Sequence, residues 1–258
     1  MRVCLLASGS RGNSALIEVD SCRILVDAGL SGREIERRLA TLDICGEDLD
    51  AILVTHEHHD HVGGVGPLAR RYQLPVYIDQ KTHAALPKLG KVDDLRLFTA
   101  GDSFDLNGIR IGSFSTTHDA INPVGYIIDS AEGKVGFATD LGMSTRLVSD
   151  QLQNCRVLVL EANHDEQMLL DGPYPWHLKQ RIRSRHGHLS NGDSGRLLQD
   201  VSWDGLEALF LAHLSEENNC PDLVAETFLQ LLEQHGHSPQ IIVGRQHQPS
   251  SCFVGALL

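Results

Sequence analysis

Residues 52–67 read ILVTHEHHDHVGGVGP, and four of the chain's 14 histidines fall within six residues of this stretch. Imidazole and carboxylate groups alternate there at a spacing that suits zinc, manganese or iron: His56, His58, Asp60 and His61. The apolar run over 51–54 predicts a short buried strand, and the glycines at 63, 64 and 66 predict a tight turn into a helix. The stretch therefore predicts a metal-binding loop at a strand end. A merely solvated, histidine-rich loop is the alternative, and further ligand types later in the chain count against it.

The composition of the chain limits the classes of protein to which it can belong. Its 258 residues, 41% of them hydrophobic, are enough for one large core, and we expect a single domain over 1–258. The sequence contains no apolar run of ~18 residues, so no membrane span is predicted. The first residues resemble a strand and a Gly/Ser turn more than a secretion signal. The six scattered cysteines form no C-x-x-C pair, which favours a reduced, cytoplasmic environment.

The net charge of −12 counts against a protein that coats nucleic acid, since such proteins are usually basic. It does not exclude a nuclease, because several acids would hold dications whose charge dominates locally. One basic cluster interrupts the acidic pattern, and its members are Lys179, Arg181, Arg183 and Arg185.

Hydrophobic periodicity and turn signals predict an α/β chain of two β-rich halves flanked by helices. Strands are expected at 2–7, 15–20, 22–27, 51–54, 75–78, 95–98, 103–106, 109–115, 123–129, 134–138, 156–160, 207–212 and 240–243. Ser31 and Glu34 have the spacing of a capping box for a helix reaching Asp43. Further helices are expected at 65–73, at 145–153, over 164–201 with interruptions at 172–175 and 187–190, and from Pro221 to Gly236.

Three more metal-ligand types follow predicted strands, each directly after an apolar run: His118, Asp140 and His213. A single histidine after a strand is usually a polar edge residue. Three such residues together with the loop give five histidines and two aspartates, a set that indicates a metal centre.

The order D…HxHxDH…H…D…H, which begins at Asp27 and ends at His213, resembles the metallo-β-lactamase-fold superfamily over nearly the whole chain. The resemblance implies a four-layered αββα sandwich that holds two divalent metal ions, Mn²⁺ or Zn²⁺, at one edge. By the same resemblance, one metal would be held by His56, His58 and His118, the other by Asp60, His61 and His213, with Asp140 bridging. Asp27 would orient a metal-binding histidine through a hydrogen bond without contacting the metal.

Four segments resemble the YycJ/WalJ-like branch of this superfamily: SGSRGNS at 8–14, EANH at 161–164, GHLSN at 187–191 and HLSEENN at 213–219. The branch implies a 5′-to-3′ DNA exonuclease, proposed to act in mismatch repair. In such a binuclear phosphodiesterase a metal-bridging hydroxide attacks in line, and Asp60 acts as both ligand and hydrogen-bond acceptor. No nucleophilic side chain is then required.

Substrate contacts are expected from residues around this centre. His188 is the candidate for protonating the leaving oxygen or contacting a phosphate, and a surface histidine in a loop is the alternative. Further candidates are Ser10, Asn13 and Ser14 for a terminal phosphate, Asn163, His164 and His247 along the site, and Arg181 with Arg185 for the DNA backbone. The alternative for the basic cluster is a solvated helix face that does not contact DNA. His59 should point away from the metals and be packed or in contact with a ligand.

Other activities share the ligand set. Asp140 argues against class B β-lactamases, which lack an aspartate at the bridging position, and too few residues separate it from His213 for an inserted β-CASP domain. No basic insertion resembles the tRNA-gripping arm of tRNase Z-like enzymes. A glyoxalase II-like thioester hydrolase, a cyclic phosphodiesterase-like or other small-phosphodiester hydrolase, an RNA-processing nuclease and a metal-binding protein without catalysis remain alternatives. The basic cluster favours a polyanionic substrate such as DNA.

Overall fold

A computed structural model describes residues 1–86, 89–234 and 236–255. Its strands form two seven-stranded mixed sheets. In sheet order, the first contains β14 (Phe253–Val254), β1 (Arg2–Ala7), β2 (Ser14–Val19), β3 (Cys22–Val26), β4 (Ala51–Leu53), β5 (Val76–Asp79) and β6 (Leu95–Phe98). The second contains β13 (Gln240–Val243), β12 (Ala208–Ala212), β11 (Val157–Glu161), β10 (Gly133–Ala138), β9 (Val124–Ser130), β8 (Ile109–Ser115) and β7 (Ser103–Leu106).

The two sheets lie face to face because alternate residues of their strands are apolar on one face. Val3, Ile17 and Ile24 of the first sheet share a buried core with Tyr126 and Phe210 of the second. The outer face of each sheet forms its own core with helices. The predicted αββα sandwich is confirmed, and an apolar core fills the space between its two middle layers.

The helices connect the strands and cover the outer faces. They are α1 (Gly32–Ala40), α2 (His59–Val62), α3 (Val65–Tyr72), α4 (Gln80–Ala84), α5 (Arg146–Gln151), α6 (Glu166–Asp171), α7 (Trp176–Ile182), α8 (Asn191–Val201) and α9 (Pro221–Gln234), with a 3₁₀ turn at Gly46–Asp48. Helices α1 and α3 pack on the first sheet, and α5, α8 and α9 pack on the second.

Local signals place several of these helices. The Ser31 side chain accepts a hydrogen bond from the Glu34 backbone and starts α1 as predicted, and Pro221 is the first residue of α9. The sequence analysis missed α4, which begins where the carboxylate of Asp79 accepts from two backbone N–H groups. It also missed β14, which pairs with the first strand. None of the helices in the described part of the chain has the length and apolar character that a membrane crossing requires.

Candidate metal centre

The candidate ligands meet because parallel strands deliver them to one edge of the sandwich. Strands β3 and β4 are parallel neighbours, and they end just before Asp27 and the loop that begins at Thr55. In the second sheet β10, β11 and β12 are parallel, and they end at or just before Asp140, Glu161 and His213. Since the carboxyl ends of parallel strands share an edge, residues far apart in the chain become neighbours.

Three residues at this edge have left-handed backbone conformations. Asp27, Asp140 and His213 have φ angles of 60°, 56° and 57°. Such conformations cost free energy for residues other than glycine and concentrate at functional sites. Each one lies directly after a strand or one residue later, so the chain turns sharply and the side chain remains at the edge.

The first group of ligand atoms comes from three histidines. Nε2 of His56 lies 3.1 Å from Nδ1 of His58. Nδ1 of His118 donates to the Gly187 carbonyl at 3.0 Å, which leaves Nε2 facing the other rings. Burial lowers the pKa of His56 and of His118, so both imidazoles are neutral, the form that binds a metal.

The second group consists of Asp60, His61 and His213. Nδ1 of the buried His61 donates to Asp27 Oδ2 at 2.7 Å, and its Nε2 lies 3.6 Å from Asp60 Oδ2. Nε2 of His213 lies 3.9 Å from the same Asp60 oxygen. The other oxygen of Asp27 accepts from the Thr55 backbone, so both of its oxygens are engaged in hydrogen bonds.

Asp140 lies between the two groups. Its Oδ1 is 3.6 Å from Nε2 of His118, and its Oδ2 is 3.4 Å from Nε2 of His61. Burial would raise the pKa of this carboxyl, but His213, His61 and His118 outweigh it and hold the pKa below its ordinary range. Asp140 is therefore ionised and faces both groups, with its Oδ1 also 3.4 Å from Nδ1 of His213.

Two buried polar atoms in this cluster support a cation between the side chains. Oδ2 of Asp140 and Nε2 of His213 are inaccessible to solvent and have no hydrogen-bond partner. Leaving such atoms unpaired costs free energy. A divalent cation would satisfy both, and the imidazole and carboxylate donors match its preferences. The donor set therefore fits divalent metal binding.

Glu161 is a site residue that the sequence analysis missed. Its buried carboxylate accepts through Oε1 from Nδ1 of His188 at 2.7 Å and from Nδ1 of His213 at 2.9 Å. Its Oε2 accepts from the backbone N–H groups of Leu141 and Leu189. An acid that ends a wholly apolar strand was the available signal, but only Asn163 and His164 of the same segment were assigned a role.

The glycine-rich turn after β1 supports the centre from below. Nδ2 of Asn13 lies 3.0 Å from Nε2 of His61 and 3.3 Å from Asp60 Oδ2. Ser10 is exposed and lines a cavity beside the centre. The Ser14 hydroxyl is buried and donates to the Asp27 carbonyl, which counts against its predicted phosphate contact because its proton is already engaged.

The predicted substrate-contact residues after β11 separate into two sets. His188 and Asn163 line the cavity with Ser10, and the Asn163 amide also donates to the His213 carbonyl. His164 is buried, and its Nδ1 contacts Asn163 Oδ1, so its side chain supports the loop rather than lining the cavity. His247 is exposed, pairs with Glu216 at 2.8 Å and lines a neighbouring cavity.

Only Lys179 and Arg181 of the basic cluster lie within α7, because the helix ends at Ile182. The Lys179 ammonium is buried and donates to the carbonyls of Leu170 and Gly172, so it is not part of an exposed face. Arg181 is exposed and pairs with Asp119 at 2.8 Å, while Arg185 is exposed beyond the helix. His59 lies outside the groups of candidate metal ligands, and its side chain is exposed, so the expectation that it is packed was wrong.

Comparisons with known proteins agree with this architecture. A family model described as a beta-lactamase superfamily domain matches residues 22–213. Exodeoxyribonuclease YycJ of Bacillus anthracis is 39% identical over 235 residues, which cover 90% of this chain and 89% of the relative. Exodeoxyribonuclease WalJ of Streptococcus pneumoniae is 41% identical over 235 residues, which cover 89% of this chain and 87% of the relative.

The fold also matches a solved structure. The metallo-beta-lactamase fold protein YhfI from Bacillus subtilis superposes with a TM-score of 0.75 at 18% sequence identity, covering 98% of this chain and 99% of that one. The family resemblance predicted from the metal motif is thereby confirmed. Sequence, sheet topology and the clustered histidines and aspartates agree that this chain belongs to the beta-lactamase superfamily domain family, in its metallo-β-lactamase-fold form.

Proposed function

We propose that this protein is a metal-dependent DNA exonuclease that hydrolyses phosphodiester bonds from a 5′ end. The supporting observation is its similarity, over about nine-tenths of its length, to two proteins named exodeoxyribonucleases. The buried cluster of imidazoles and carboxylates supplies the chemistry that such a hydrolase needs. A role in mismatch repair and a cytoplasmic location stay predictions.

The residues predicted as ligands form two adjacent sets that would hold two divalent ions, Mn²⁺ or Zn²⁺. The first set is His56, His58 and His118, and the second is Asp60, His61 and His213, with Asp140 facing both. When bound, such ions lower the pKa of a water and neutralise the charge of phosphate oxygens. The protein's part is to fix the ligands, and Asp27 and Glu161 do so for His61 and His213.

We assign to Asp60 the role of a hydrogen-bond acceptor beside the reacting phosphate. The neighbouring His213 and His61 outweigh the effect of burial and lower the pKa of this carboxyl well below its ordinary value. Asp60 therefore remains ionised at neutral pH. It can accept a hydrogen bond from an attacking water.

We assign to His188 the donation of a proton to the leaving oxygen. Its Nδ1 donates to Glu161, so Nε2 is the nitrogen left for substrate, and the side chain lines the cavity beside the ligands. Glu161 is ionised because His188 and His213 outweigh the effect of its burial. A positioned acid of this kind contributes about 10²–10⁴-fold to rate.

A panel of end-labelled substrates tests this function. Duplex DNA, single-stranded DNA and RNA, each labelled at the 5′ or the 3′ end, would be incubated with Mn²⁺, Zn²⁺ or Mg²⁺. We expect DNA degradation from the 5′ end with at least one metal, and reduced degradation by Asp140→Asn protein purified in parallel. Degradation of RNA alone, or turnover only of thioesters or small cyclic phosphodiesters, would replace the proposal with one of those alternatives.

A further inference from the structure

Helix α7 and the turn before it carry an apolar stripe made of Tyr174, Leu178 and Ile182. Leu178 and Ile182 are four residues apart and share one side of the helix, and Tyr174, which precedes the helix, lines the same cavity as they do. All three are half-buried. Within the described part of the chain, none of them belongs to the cores between or outside the sheets. An apolar stripe with no core to join requires another explanation.

The stripe faces a cavity of about 210 Å³ that opens at the metal centre. The same cavity is lined by His118, His188 and His213. One wall of the cavity is thus the apolar stripe, and the other wall carries the histidines proposed to act on a phosphate. Pockets for drug-sized ligands occupy about 300–1,000 Å³, so this cavity suits a single flat ring system rather than a larger ligand.

Polar contacts at both ends hold the stripe in place. The Lys179 ammonium donates to the Leu170 and Gly172 carbonyls at 2.6 and 2.7 Å, which fixes the turn that carries Tyr174. The pair between Arg181 and Asp119 ties the helix to the segment that carries His118. The apolar wall is therefore preformed, and binding a ligand there costs little ordering.

We propose that the stripe is a subsite for the nucleobase of the terminal nucleotide, which stacks on the ring of Tyr174. This inference rests on the proposed exonuclease function and adds to it how the strand end is recognised. Metals and histidines contact phosphates alone, whereas the apolar wall matches the π-face that every base presents. Because the cavity suits a single ring system, a base seated in it leaves its pairing partner outside, so the enzyme acts on a frayed or unpaired end and accepts any base there.

An abasic terminal nucleotide tests the subsite separately from the chemistry. Two 5′-phosphorylated oligonucleotides would be compared, one with a normal terminal base and one with a tetrahydrofuran in its place. Single-turnover cleavage would be measured, together with binding by fluorescence anisotropy in the presence of a chelator. We expect loss of the base to weaken binding by about tenfold in the unmodified protein, as for one stacked base.

The variant Tyr174→Ala should weaken binding of the normal oligonucleotide by a similar factor and leave binding of the abasic one unchanged. Tyr174→Phe should retain the preference, since the ring is kept. Trp176→Ala is the matched control, because this exposed aromatic lies two residues away and does not line the cavity. It should keep the difference between the two oligonucleotides.

The outcomes separate the two proposals. If no oligonucleotide is cleaved, the proposed function fails. If normal DNA is cleaved but both oligonucleotides bind and react equally well, the function stands and the base subsite is refuted. Equal effects of Tyr174→Ala on both oligonucleotides would likewise refute stacking on this ring.

Discussion

Nδ1 of His213 lies 2.9 Å from Oε1 of Glu161, and the carboxylate is completely buried. The same oxygen accepts from Nδ1 of His188 at 2.7 Å. One carboxylate therefore sets the ring orientation both of a predicted metal ligand and of the proposed proton donor. Changes at Glu161 should act on metal binding and on catalysis together.

The variant Glu161→Gln should lower metal affinity by about 10–100-fold, the usual effect of removing a hydrogen-bond partner of a ligating histidine. The amide also places a donor against a histidine N–H or against the N–H groups of Leu141 and Leu189. Titration with a chromophoric chelator measures the affinity. Glu233→Gln, at an exposed position of α9, is the control. Unchanged affinity in Glu161→Gln would show that the carboxylate does not orient His213.

Asp140→Asn should reduce both bound metal and nuclease activity, because the amide carries no charge and offers only one acceptor atom to the two ligand groups. Asparagine tolerates the left-handed backbone at this position, so the fold should be retained. Metal content by mass spectrometry and circular dichroism would be measured on the same sample. Asp43→Asn is matched, since Asp43 also has a left-handed backbone but is exposed. Retention of full metal content would refute the bridging position.

Glu34 should contribute stability that depends on pH. Its hydrogen bonds with Arg37, and then with Arg38, lower its pKa from 4.5 to about 2. Because the folded pKa is depressed, the contribution is complete above about pH 4.5 and is lost as the pH falls towards about 2. Glu34→Gln should therefore destabilise the protein by about 1 kcal/mol or less near pH 6, where partial exposure screens the pairs.

Urea unfolding of both proteins in chelator measures this difference at several pH values. The curves should converge as the pH approaches about 2. A difference between the two proteins that stays constant from pH 6 to pH 2.5 would contradict the assignment.

Arg185→Glu should weaken DNA binding and reduce the slope of log affinity against log salt by about 1, the change expected for one lost phosphate contact. Arg185 lies beside the cavity-lining residues His186 and Gly187. Anisotropy titrations at several salt concentrations give the slope. Arg33→Glu, an equal charge change at an exposed position of α1, should have a smaller effect. Equal slopes for the two variants would assign Arg185 to a solvated surface.

Most residues of the candidate metal centre were predicted from the sequence because they follow apolar runs that become strands ending at one edge of the sandwich. His118, Asp140 and His213 could be found in this way before any distance was known. The strand predictions succeeded for the same reason, since burial on both faces leaves a continuous apolar run.

Residues whose roles depend on tertiary contacts were harder to predict. Glu161 ends an apolar strand just as an ordinary edge residue would, and only the approach of His188 and His213 distinguishes it. Lys179 has the sequence context of a solvated helix face, yet its ammonium is enclosed by backbone carbonyls of the preceding turn. Periodicity along one helix contains no information about such neighbours.

The two sheets contribute unequal parts of the ligand set, and neither part is complete. The first sheet carries the loop with His56 and His61, and the second carries His118, Asp140 and His213. A cation held by both would act as a cross-link between the two halves of the sandwich, and its binding free energy would oppose their separation. In hydrogen exchange, this edge should open more often once metal is removed, while the opposite edge of the sandwich should change little.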